Sequence, residues 1–163
     1  MLMPVKEKWV GYKTIILLYR GVNMLSKPKH GWSEITIGDW SDRCSYIDDV
    51  PFNLLEALEK SCRTHRPVAV KFDAEGWDYI VVFDQFETHI ISTNPNDVDV
   101  YFSNFDYHTI EIDRDKLAKE LIADIRRDID DWTHWDYRDH TEDYLSERKK
   151  DLLALCNVVE KRL

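Results

Sequence analysis

VAVKFD (Val68–Asp73), AEGW (Ala74–Trp77) and DYIVVFD (Asp78–Asp84) form one continuous stretch, and its reading decides the fold. Val68, Val70 and Phe72 alternate with Ala69, Lys71 and Asp73, the period of a strand with one apolar face. Gly76 supplies the positive φ that a tight connection needs, so AEGWD reads as a hairpin turn. The returning segment is apolar at nearly every position, which marks a central strand. Two strands joined by so short a link must pair antiparallel.

Outward from this hairpin the same patterns continue. FETHIIS (Phe86–Ser92) reads as a further strand, TNPND as a turn, DVDVYF (Asp97–Phe102) as another strand, and YHTIEI (Tyr107–Ile112) as a shorter last one. Upstream, Ser33, Ile35 and Ile37 alternate with Trp32, Glu34 and Thr36, and a second short strand is expected through Arg43–Tyr46. Between them, Asp49 offers a cap and Pro51 suits a first helical turn. Leu54, Leu55, Leu58 and Cys62 then recur at helical spacing until Pro67 stops the helix. Asp113 caps a helix with Leu117, Leu121, Ile125, Ile129 and Trp132 as its apolar stripe, and Thr141 caps the terminal helix. Leu145, Leu152, Cys156, Val159 and Leu163 share one face of that helix at near-heptad spacing. The expected fold class is α+β: an antiparallel sheet of about five to six strands with helices near 51–66, 114–132 and 142–162 packed on one face.

The chain of 163 residues is 44% hydrophobic and 33% charged, which is enough to bury one core without disulfides or metals. Its three cysteines, Cys44, Cys62 and Cys156, lack any zinc or disulfide spacing, and a reducing, cytoplasmic setting is expected. The longest apolar run, Thr14–Tyr19, is too short to span a bilayer. Charge divides the chain: residues 1–30 hold six basic side chains against Glu7, while the remainder holds 16 basic against 30 acidic residues. The expected organisation is therefore a basic arm over 1–30, partly ordered, and one acidic domain over 31–163, with Met24 as an alternative start. The arm can dock on the body or on a neighbouring copy. So acidic a body repels nucleic-acid phosphates, and neither direct nucleic-acid binding nor a membrane partner is expected.

The densest chemistry lies in DIRRDIDDWTHWDYRDHTED (Asp124–Asp143), with eight acidic side chains, three arginines, two tryptophans and a tyrosine. Glu120, Asp124, Asp128 and Asp131 fall on one helical ridge near the C-terminal end, where acids repel one another and oppose the macrodipole. Arg127 is expected to bridge Asp124 and Asp131, and Arg126 to reach Asp130. A local rule broken with incomplete compensation points to function. Asp124, Asp128, Asp131, Trp135, Asp136, Tyr137 and Asp139 are therefore the expected contacts for a basic protein partner, with Trp135 an exposed anchor. The same pattern also fits a solvated helical face with Trp132 and Trp135 pinning the helix to the sheet.

The first expectation is accordingly a non-catalytic acidic binding protein without a cofactor, comparable in charge and size to bacterial immunity proteins that neutralise basic nucleases. The alternative is a hydrolase using carboxylates or a metal at His134, Asp136 and His140, residue types that suit a divalent ion. A second alternative is a self-associating structural protein, a homodimer built on the near-heptad face of 145–163. Asp73, Glu75 and Asp78 around Gly76 lack calcium-loop spacing, and Cys62 with His65 reads as buried structure rather than a nucleophile. No phosphate-binding loop or nucleophile elbow occurs.

Overall fold

A computed structural model describes residues 23–93, 105–135 and 139–163. Six strands and four helices follow in the order β1 (Trp32–Ile37), β2 (Trp40–Ser45), α1 (Val50–Thr64), β3 (Val68–Asp73), β4 (Asp78–Phe83), β5 (Glu87–Thr93), β6 (Phe105–Glu111), α2 (Arg114–Arg127), α3 (Ile129–Thr133) and α4 (Glu142–Glu160). The α+β class with antiparallel pairing is as expected, but the strands divide between a β1–β2 hairpin and a four-stranded sheet ordered β3-β4-β5-β6. The expected strand over 97–102 lies outside the described residues.

The registers sort the main sheet into two faces. Val68, Val70 and Phe72 stand opposite Phe83, Val81 and Tyr79, and Thr88 and Ile90 continue that side. Phe72, Tyr79, Val81, Phe83 and Ile90 are wholly buried there, beneath α1 and the β1–β2 hairpin. Tyr79 joins the two layers: its hydroxyl donates to the Arg43 carbonyl at 3.1 Å, and its ring meets Trp40 edge-on at 5.3 Å. Gly38, in the hairpin turn at φ +60°, approaches Ile110 of β6 so closely that a Cβ would lie 2.6 Å from its Cγ2. Both α2 and α4 pack behind α1, and α4 buries Leu152, Cys156 and Val159 inward. The middle of the near-heptad face is thus part of this chain's own core, with Leu145 and Leu163 half-buried at its ends.

Local capping explains most boundaries. The Asp113 carboxylate accepts from the Asp115 and Lys116 N–H groups, and the Thr141 hydroxyl from Tyr144 N–H. His65 closes α1 in the left-handed conformation. Asp49 departs from expectation, making no side-chain cap; its carboxylate instead takes a two-pronged ion pair from Arg148 at 2.6 and 2.9 Å. The helix expected over 114–132 breaks at Asp128 (φ −112°, ψ 30°), and the short α3 after it carries Trp132 into the core.

Residues 23–30 of the expected basic arm belong to the body. Met24 and Leu25 are fully buried, the Met24 carbonyl accepts from Thr36 N–H at 2.9 Å, and Leu25 bridges to Ile35. Residues 1–22 lie outside the described residues.

Candidate functional site

The acids of α2, α3 and the residue between them, Asp124, Asp128, Asp130 and Asp131, are fastening. Asp124, on α2, is 3% exposed. One of its carboxylate oxygens accepts the Leu25 N–H at 2.9 Å and the other pairs with Arg127 at 2.6 Å. Arg127 also holds Asp128 at 2.5 Å and reaches the Leu25 carbonyl at 3.4 Å. Asp124 and Arg127 thereby satisfy both backbone groups of Leu25 and tie the entering chain to α2. Asp131 pairs with Lys27 at 3.0 Å, and that contact, reinforced by Asp128, holds the Lys27 ammonium above its ordinary range. Lys149 of α4 pairs with Asp130 at 2.5 Å and holds its carboxyl below the usual range. The expected Arg127–Asp131 and Arg126–Asp130 bridges do not form; Arg126 crosses to Glu160 and Asn157 of α4, each at 2.8 Å.

Trp135 corrects the sequence expectation most directly. It is 3% exposed, packs against Trp132 with ring centroids 5.0 Å apart, and donates its indole N–H to the Asp48 carbonyl at 2.8 Å. A large indole beside a run of acids is buried here because a backbone carbonyl from another part of the chain satisfies its one donor. Asp124 and Trp135 are therefore inaccessible to a partner in this fold, while Asp128 and Asp131 are half-buried and already paired. Asp139 is exposed; Asp136 and Tyr137 lie outside the described residues.

His134 lines a polar cleft of about 380 Å³ with Lys29, His30, Asp130 and Asp131, and its Nδ1 lies 2.8 Å from the Asp130 carbonyl. His140 does not line it; its ring stacks on Tyr144 at 4.1 Å. No group of three His, Cys, Asp or Glu side chains able to hold a metal ion occurs among the described residues. At the β3–β4 turn, Asp73 accepts from Glu75 N–H at 2.7 Å and Asp78 pairs with Lys71 at 2.7 Å, so these carboxylates secure the hairpin. The Cys62 thiol faces Asp115 and Arg114 rather than His65, and burial raises its pKa. All three cysteines are free and buried.

The accessible chemistry gathers instead on the outer face of the main sheet. One cross-strand row runs Lys71, Ile80, Ile91, Tyr107, and the next runs Ala69, Val82, His89, Thr109. Carboxylates flank these rows: Asp73 opposite Asp78 at one end, Glu87 opposite Glu111 at the other. Phe105 and Tyr107 project from the edge strand at 63% and 60% exposure. Tyr107 stacks on His89 at 5.9 Å and its hydroxyl lies 2.9 Å from His89 Nδ1, which also contacts Thr109 at 3.2 Å. These contacts hold Tyr107 upright at low further entropic cost. Lys71, already paired with Asp78, is the sole lysine or arginine on this face among the described residues, and His89 Nε2 lies 3.7 Å from the Glu87 carboxylate.

Sequence patterning separates the two faces of these strands without ranking them. Ile80 and Val82 make β4 apolar on both sides, and Phe105, Tyr107, Thr109 and Glu111 alternate with Asp106, His108 and Ile110. Periodicity separates two faces of a strand but does not say which one the rest of the chain covers. Among the described residues no helix is long and apolar enough to cross a membrane. Comparison of the chain with protein-family models, curated proteins and solved structures finds no match.

Proposed function

We propose that this protein is a non-catalytic acidic binding protein that docks a basic protein partner on the outer face of its four-stranded sheet. Support comes first from one arrangement: exposed Phe105 and Tyr107 share the outer face of β6 with Glu111, the aromatics toward one end of the strand and the Glu87–Glu111 pair at the other. Like charges directly opposite across a sheet are destabilising, and of the two only Glu87 has an ionisable base beside it among the described residues, His89 Nε2 at 3.7 Å. A cation brought by a partner would relieve that repulsion. Ordered aromatics add contact area of the kind that dominates interface energetics. The net charge of −9 favours rapid, salt-sensitive association with a basic partner. An immunity-type role, neutralising a basic toxin, fits this chemistry without being specified by it.

The test compares wild-type protein with Phe105→Ser/Tyr107→Ser as baits in an extract of the source cells, followed by rebinding of the purified captured protein. The proposal expects a partner of high isoelectric point, lost from the double variant, whose association rate falls as salt rises. A partner held equally by both baits, or an association rate flat with salt, would remove it.

A further inference from the structure

The β6 strand carries a feature separate from its aromatic side chains. Among the described residues it is the last strand of its sheet, and the Ile112 N–H donates to the Phe86 carbonyl at 3.0 Å. In an antiparallel ladder the inward-pointing residues alternate. Ile110, His108 and Asp106 therefore turn their backbone groups toward β5. Phe105, Tyr107, Thr109 and Glu111 turn theirs to the open edge, where none has a backbone partner among the described residues.

Natural edge strands are normally protected by lysine, proline, a bulge or shortness. Over seven residues β6 contains no lysine and no proline, and its pairing with Thr93–Glu87 is continuous. The opposite edge is handled differently: Lys71 sits in mid-strand, Asp48 accepts the Asp73 N–H at 2.6 Å, and Ser45 donates to the Asp73 carbonyl at 3.1 Å. The open edge is also the acidic one, carrying Asp106 and Glu111 with Glu87 alongside.

We infer that β6 receives an extended, basic segment of the partner as an added strand, hydrogen-bonded to Phe105, Tyr107, Thr109 and Glu111. This deepens the docking proposal and rests on it. Strand addition takes its affinity from main-chain bonds and its specificity from alternate side chains. Here those side chains would be cations near Glu111 and Glu87 and apolar groups beside Tyr107 and Phe105. A second copy of this acidic chain would bring acid to acid at the same edge.

The experiment uses the full chain and a short synthetic peptide alternating lysine with valine, followed by amide hydrogen exchange and titration. The expected result is new protection of the Phe105, Tyr107, Thr109 and Glu111 amides only. The Thr109→Pro variant removes an outward N–H while sparing the β5 ladder, and should bind about tenfold or more weakly with its circular dichroism unchanged. Thr109→Val, which keeps the N–H, should bind as wild type. No binding, binding without protection of these amides, or equal binding by Thr109→Pro overturns strand addition; the Phe105→Ser/Tyr107→Ser bait experiment decides separately whether the face docks a partner. Protection already present without peptide overturns it too, and its dependence on protein concentration tells whether a second copy or the chain itself fills the edge.

Discussion

Asp124 shows how one residue can carry a misleading signal. Its place on an acidic ridge suggested a surface for cations, yet its carboxylate fastens Leu25 and Arg127. Asp124→Asn removes the ion pair and weakens a charge-assisted hydrogen bond in a buried place, so a stability loss of about 2–4 kcal/mol is expected in urea titration; a loss near zero would mean the strap is dispensable. The carboxyl of Asp48 behaves oppositely. Burial, together with Asp73 and Asp78, raises its pKa above the ordinary 3.8, while the Asp73 N–H pulls it back. The folded state thus holds this proton more tightly than the unfolded state, and its contribution to stability falls as pH rises from the ordinary value through the raised one. Asp48→Asn keeps an acceptor for the Asp73 N–H but has no such titration. Urea titrations across that range should show wild type losing ground to the variant as pH climbs; a difference constant with pH would contradict this. Burial raises Cys44 to about 12 and Cys156 to about 11, so thiol reagents should label both only after denaturation.

At the scale of elements, short-range chemistry was legible and long-range chemistry was not. Asp113 and Thr141 cap their helices as expected because a cap needs only the next three residues. The Val68–Phe83 hairpin was legible because its alternation and Gly76 are contiguous. Asp49 was misread because Arg148, far along the chain, competes for its carboxylate. The break at Asp128 leaves no mark in the sequence pattern because the apolar stripe continues through it to Trp132. The outer sheet face was invisible for a different reason: an apolar position reads the same whether or not another layer covers it. Gly38 gives this scale its prediction. Gly38→Ala combines left-handed backbone strain with a Cβ 2.6 Å from Ile110, a loss of about 2–4 kcal/mol expected by chemical denaturation. Adding Ile110→Ala to Gly38→Ala removes the side chain that the new Cβ meets, so the second change should cost less in the Gly38→Ala background than in wild type. The same cost in both backgrounds would mean the hairpin does not press on β6 as described.

Across the whole molecule, acidic residues perform two kinds of work. Those of α2 and α3 hold the entering chain and α4 in place through Lys27, Arg127 and Lys149. Those at the ends of the outer sheet face border the rows of Ile80, Ile91 and Tyr107, with Lys71 beside Asp78 and His89 beside Glu87 as their basic neighbours among the described residues. Net charge alone could not distinguish the two, since both raise the same total. The central claim is that docking belongs to the sheet and not to the acid-rich helical segment. Its most direct measurement is the association of the captured basic partner with three proteins, namely wild type, Asp139→Asn and Phe105→Ser/Tyr107→Ser, as a function of salt. The account predicts near wild-type association for Asp139→Asn and loss of binding for the double variant. Loss with Asp139→Asn and retention by the double variant would contradict it and return the partner to the helices.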